Sequence, residues 1–232
     1  MTFKKEIQHV VNVIASPAEV FADVREDPKW RAPLMFNFVT AVFIGWMKVP
    51  LLVGMMRRVY ESTFGGEGAA AAIAGTKTMV IVAQLVVGPA TGIVRWLLFS
   101  SAVWILLRLS QGTAPSFRNI FCIAAYSESI QTLMNLVSVL ILHLRDPESL
   151  SKSSDLVVFR GLDWFLPAAM ANHPIGTFLS PFEPFAVWYL ITLGIGVRVM
   201  SGTEKVRAFM IAMGGWLVID LIGTAGTMIH PS

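Results

Sequence analysis

Long apolar runs alternate with short polar connections along this chain. Stretches at about 34–55, 77–108, 118–143, 184–200 and 207–229 carry few charges. Each approaches or exceeds the ~20 residues that a helix needs to cross a hydrocarbon layer of about 30 Å. The pattern predicts an all-α, polytopic membrane protein of five transmembrane helices over 34–229, preceded by an amphipathic segment at 1–33. The first span opens after Pro33, a residue suited to a first helical turn. The second would be ~50 Å long if wholly helical, and Pro89 in "VVGPATG" is expected to bend it. The fourth is the shortest and begins near the prolines of "LSPFEPF".

Polar residues recur inside these runs at helical spacing. On the third span Glu128, Gln131, Thr132 and Asn135 stand at i, i+3, i+4 and i+7, opposite Ile130, Met134, Val137 and Ile141. Gln84, Gly88, Thr91 and Arg95 share a face of the second span, and Asp220, Thr224 and Thr227 share one of the fifth. Asn37, Thr40 and Lys48 do so more loosely on the first. An ionisable group at the bilayer centre costs roughly 2.5–3.5 kcal/mol, so the stripes should face inward.

Helix rise puts Asp220, Arg95 and Lys48 each ~18–21 Å from the cytoplasmic end of their spans, and Glu128 ~12–15 Å. Asp220 with Arg95 is then the best-matched pair, with Lys48 competing, and Glu128 has no cation at its own depth. Such stripes can be interhelical glue, or a polar path for an ion, proton or lipid headgroup centred on Glu128 and Asp220. Glycines at 194, 196, 214, 215, 223 and 226 favour close helix approach.

Ahead of the spans, Ile7, Val10, Val11 and Ile14 form one apolar face beside Lys4 and Lys5, as in a helix lying on a membrane surface. "SPAE" reads as a capping box with Ser16 as cap and Glu19 at the third position. Val20, Phe21 and Val24 make a second apolar face before Pro28. The segment is expected to hug the bilayer or to dock a partner through Phe21, Trp30 and Arg118. In the connection at 145–183, "DLVVFRGLDWFLPAAM" is again amphipathic, with Trp164 at an interface.

Composition narrows the chemistry. Charged residues are 14%, against roughly a quarter in soluble domains. Lys4 and Lys5 are followed by mixed polar sequence and no secretory signal pattern, so the spans themselves are expected to direct insertion. Cys122 is the sole cysteine, which excludes an intramolecular disulfide, and His9, His143, His173 and His230 lack metal-ligand spacing. No HExxH motif, nucleophile elbow or comparable catalytic set occurs. Neither enzymatic activity, nor a cofactor or metal, nor nucleic-acid binding is expected.

The net charge of +3 reflects basic residues at the membrane face. With the N-terminus inside, ten lie on the cytoplasmic side: Lys4, Lys5, Arg25, Lys29, Arg31, Arg108, Arg118, Arg198, Lys205 and Arg207. Six lie opposite: Arg57, Arg58, Lys77, Arg145, Lys152 and Arg160. The bias favours a cytoplasmic N-terminus and an extracytoplasmic C-terminus.

Three stretches carry a family resemblance. "SPAEVFADVREDPKWRAPLMF", with Pro17, Phe21, Trp30 and Pro33, resembles the segment leading into the first span of the Yip (Ypt/Rab-interacting protein) domain family. "GTAPSFRNIFCIAAYS", with Gly112, Ser116, Phe117, Arg118 and Tyr126, is similar to its turn into the third span. "FEPFAVWYLITLGIGVRVMSGTEKVRAFMIA", with Phe185, Trp188, Gly196 and Arg198, resembles its fourth and fifth spans. The resemblance implies five spans, no catalytic residues, and a non-enzymatic adaptor or scaffold for other membrane proteins, transporters included. It is to the short bacterial members, which implies the inner membrane. The chain starts without the long cytoplasmic region of trafficking relatives, so a small GTPase is not an expected partner; homo-oligomerisation is left open. The alternative is a small transporter, channel or lipid-moving protein.

Overall fold

The computed structural model describes residues 2–146, 149–150, 153–167 and 174–229. His173, His230 and Lys152 lie outside these, as do the side chains of Gly223, Thr224, Gly226 and Thr227. The described residues are helical with short irregular connections, and no strand occurs among them.

Two short helices come first, α1 (Phe3–Asn12) and α2 (Pro17–Glu26). Then follow α3 (Arg31–Gly65), α4 (Gly68–Gln111) and α5 (Phe117–Leu144). A single turn, α6 (Pro174–Leu179), precedes α7 (Pro184–Ser201) and α8 (Lys205–Ile229). Four of these, α3, α4, α5 and α7, are long and apolar enough to cross a membrane. α8 contributes 25 further helical residues.

α3 and α4 depart from the expected spans. The Gly/Ala-rich stretch around residues 65–75 is helical on both sides of a break at Gly65, where φ is 72°. Alanine is the strongest helix former, so the run propagates helix. Pro89 does not break α4. The five residues before Gly88, Ala83–Val87, widen into a π-helical turn instead, a common way to absorb a lost backbone donor.

The chain divides into two compact units. The first comprises residues 1–37, 93–131 and 160–232. Its core joins Val10, Val13, Phe21 and Val24 of the N-terminal helices to Phe99, Val103 and Leu107 of α4, Ile120–Ile130 of α5, and Leu193, Val197, Ala208 and Ala212 of α7 and α8. α7 packs on α2 and α8. Gly196 makes that possible, because a Cβ there would lie 2.5 Å from Ile123 and 3.0 Å from Phe21. Glu183 caps α7 by accepting from the Phe185 N–H at 2.7 Å, with Pro184 in the first turn.

The second unit comprises residues 38–92 and 132–159. Here α3 and α4 run together. The Gln84 carbonyl, in the π-helical turn, sits where a Cβ on Gly45 would be. Thr76 hydrogen-bonds the Tyr60 hydroxyl at 3.4 Å, and Arg58 donates to the Leu150 carbonyl at 2.5 Å. None of the most apolar stretch of α4 is buried, and little of that of α3 is. Both helices therefore present their apolar faces outward, as lipid requires.

Among the described residues after α5, Ser153–Leu156 and Leu162–Phe165 are 3-10 turns. Trp164 and Phe165 are largely exposed there, the arrangement of an interfacial aromatic pair.

Candidate functional site: a buried ion pair between the spans

α5 is the central helix of the first unit. From Ile120 to Ile130 every residue is buried. Ile130, on the face opposite the polar stripe, is buried like Glu128. The ring of His9 meets Tyr126 edge-on at 6.4 Å, and Trp96 meets Phe121 at the same distance. Over these residues α5 thus has protein on both faces, so Ile130 serves packing and does not meet lipid.

Within that enclosure Arg95 of α4 donates from Nη2 to Oε1 of Glu128 in a salt bridge. The Glu128 side chain is 12% exposed and that of Arg95 46%. The partner of Arg95 is therefore not Asp220, the residue matched to it by depth. Helix rise fixes depth along one axis but not which faces meet, and the long arginine side chain spans the few ångströms between the two depths. Asp220 is half-buried on α8. Lys48 is half-buried in the second unit and makes no ion pair among the described residues. Gln131 belongs with Glu128 and Arg95 to the first unit, whereas Thr132 and Asn135 fall in the second.

Among the described residues, Glu128 Oε2, the hydroxyls of Tyr126, Ser127, Ser129 and Thr192, and the Trp96 indole N–H are buried without a hydrogen-bond partner. Nearer the start of α3, the Asn37 amide donates to the Ala125 carbonyl of α5 at 2.8 Å. Asn37 and Glu128 each tie a neighbouring helix to α5, which is how polar groups act as interhelical glue. Chemically, Glu128 has one oxygen held by a guanidinium and another open to a further hydrogen bond.

The N-terminal helices form a cap over this unit. α1 turns Glu6, His9, Val10 and Val13 inward and leaves Phe3, Ile7 and Val11 exposed. That corrects the apolar face expected through Ile7, Val10, Val11 and Ile14. Two polar residues go inside because partners await them. Glu6 Oε2 accepts the Ala32 N–H at 3.2 Å, and His9 Nε2 faces Asp23 at 3.3 Å, with Lys5 on the same carboxylate at 2.7 Å. Burial lowers the His9 pKa from its ordinary 6.5, opposed by the charge of Asp23. The Lys5 hydrogen bond holds Asp23 below its usual carboxylate range.

Ser16 stands at the N-cap position of α2, but its side chain makes no capping hydrogen bond. Phe21, expected at a docking surface, is wholly buried at Gly196 and serves the core. Trp30 is half-buried edge-on to Phe121 at 6.0 Å, while Arg118 is exposed. Glu6 and His9 escape a search for apolar periodicity. Their signal is that they share the helical face of Val10 and Val13.

This arrangement of a capped helical bundle agrees with a comparison of the sequence with family models. The Yip1 domain model matches residues 11–226. The chain belongs to the Yip1 domain family. The match runs from the last two residues of α1 almost to the end of α8, so it takes in α2 and leaves most of α1 outside. No curated protein and no solved structure matches the chain. The chain is thus a Yip1-family integral membrane protein with several long apolar helices.

Proposed function

We propose that this Yip1-family protein is a non-enzymatic membrane scaffold that holds another integral membrane protein beside it. The observation that carries this is the paired arm of α3 and α4. At about 1.5 Å per residue, helices of 35 and 44 residues are about 52 and 66 Å long. A hydrocarbon core is about 30 Å thick. The Gly65 end of the arm therefore stands clear of the bilayer, with Phe64 and Val59 exposed near its tip. Such an arm presents a long surface to a neighbour. The Glu128–Arg95 pair is in keeping with the same role, since within the first unit it ties α4 to α5 as structural glue. In this account the protein sits in a bacterial inner membrane with its N-terminal cap on the cytoplasmic side.

The test is a photo-crosslinking amino acid at Phe64, in native membranes, with Leu140 on α5 as an exposed comparison position. A discrete adduct with a second integral membrane protein from Phe64, and only lipid or nothing from Leu140, supports the scaffold. No protein adduct from Phe64, Val59 or Arg57 overturns it.

A conducting role is favoured by one observation, the buried Oε2 of Glu128 that has no hydrogen-bond partner among the described residues. Flux through liposomes containing the protein, abolished by Glu128→Gln, would establish conduction in place of scaffolding.

A further inference from the structure

The N-terminal cap holds a cavity that neither the ion pair nor the arm uses. It has a volume of about 310 Å³ and is lined by Phe3, Glu6, Lys29, Trp30, Arg31 and Arg118. Three cations line it against one carboxylate. Arg31 and Arg118 are exposed and have no hydrogen-bond or ion-pair partner among the described residues. Lys29 faces Asp27 at 3.0 Å. Glu6, the carboxylate, already has Oε2 on the Ala32 N–H.

Position reinforces charge. Arg31 opens α3 and Arg118 lies in the first turn of α5, so the positive ends of two long helices converge on the cavity. Glu6 shows that an oxyanion is already accommodated at the start of α3. These same helix ends must lie at a membrane surface, because the apolar spans begin there.

A separate observation concerns the rim. Phe3, Ile7 and Val11 stand at i, i+4 and i+8 on α1 and are 52%, 45% and 60% exposed. Phe3 belongs both to this apolar row and to the cavity wall. A free anion in water has no use for such a row. A lipid has, because its acyl chains leave the headgroup next to apolar surface.

We infer that this cavity binds the phosphate of an anionic phospholipid headgroup, with Arg31, Arg118 and Lys29 on the phosphate and Phe3, Ile7 and Val11 along the acyl chains. Basic pockets at span ends hold anionic headgroups in this way. The site would fix the depth of the cap in the membrane interface.

The test uses the full chain in detergent, titrated with short-chain phosphatidylglycerol, short-chain phosphatidylcholine and inorganic phosphate, and read by native mass spectrometry. Wild type is expected to retain phosphatidylglycerol in preference to phosphatidylcholine. The double variant Arg31→Gln, Arg118→Gln should weaken phosphatidylglycerol binding about 25-fold, at about fivefold per basic residue near a membrane surface. Lys205→Gln with Arg207→Gln, the same loss of charge at the start of α8, should leave it unchanged. Phe3→Ser with Ile7→Ser should weaken the lipid also. Equal weakening by the Lys205, Arg207 double variant would overturn the proposal, as it would show only diffuse surface charge. So would displacement of the lipid by an equal concentration of inorganic phosphate, which would make the site one for a free anion. Thermal melting of each variant separates loss of the site from loss of the fold.

Discussion

Removing the carboxylate of Glu128 leaves a guanidinium without its counter-ion between the spans, and the size of the effect follows from the surroundings. Breaking a fully buried pair from one side costs about 3–5 kcal/mol. Arg95 is 46% exposed, which lowers that figure where the exposure is to water. In a membrane, however, an unpaired arginine still bears roughly 2.5–3.5 kcal/mol. Glu128→Met is therefore expected to destabilise by about 2–4 kcal/mol. Arg95→Met should cost a similar amount, because it leaves a carboxylate that is only 12% exposed. With both partners replaced no uncompensated charge remains, and the double variant should cost clearly less than the two single losses summed. The coupling should be about 2 kcal/mol. Steric-trapping or denaturant unfolding in bicelles of fixed composition gives all four stabilities of the cycle. Additivity within about 0.5 kcal/mol would refute the pairing of Arg95 with Glu128 as the tie between α4 and α5.

Other consequences are testable more briefly. Gly196→Ala places a methyl against Ile123 and Phe21 and should destabilise by about 1–3 kcal/mol through overpacking, read by the same unfolding assay. Asn37→Ala removes the hydrogen bond to the Ala125 carbonyl and should cost about 0.6–1.7 kcal/mol, the range of interhelical hydrogen bonds in membranes. Burial holds His9 below its ordinary 6.5 in the folded chain, so the unfolded chain takes up the proton first on acidification. Its contribution is whole above about 6.5 and declines as pH falls toward the folded value. Melting temperature should therefore drop between about pH 7.5 and pH 5.5, and drop less in His9→Gln. Asp23, held low by Lys5, keeps its contribution through that window and loses it only in stronger acid.

Parts of this molecule were legible from residue pattern. The helical class and the bounds of α5 and α7 follow from apolar runs ended by charge, proline or glycine, and the matching structural bounds are Phe117–Leu144 and Pro184–Ser201. That Glu128 lies inward was also readable, since four polar side chains on one helical face cannot all meet lipid. Its partner was not. Pairing depends on helix rotation, which one-dimensional depth omits, so Arg95 was matched to Asp220.

The helices of the arm run past the apolar stretches at 34–55 and 77–108 because the alanines at 69–72 and 74 propagate helix where the hydrophobic pattern has ended. On α1 the inner face contains Glu6 and His9, buried because Ala32 and Asp23 provide partners. No hydrophobic periodicity carries that information. Phe21 was recognisable as important, but a surface role and a core role leave the same apolar mark. Only the packing against Gly196 distinguishes them.

The most direct test of the scaffold account is proton and cation flux in liposomes holding the purified protein. The account predicts rates equal to empty liposomes for both wild type and Glu128→Gln, because Glu128 is a tie between helices. Flux above background in wild type that Glu128→Gln removes would contradict it, and would make the buried carboxylate a conducting group.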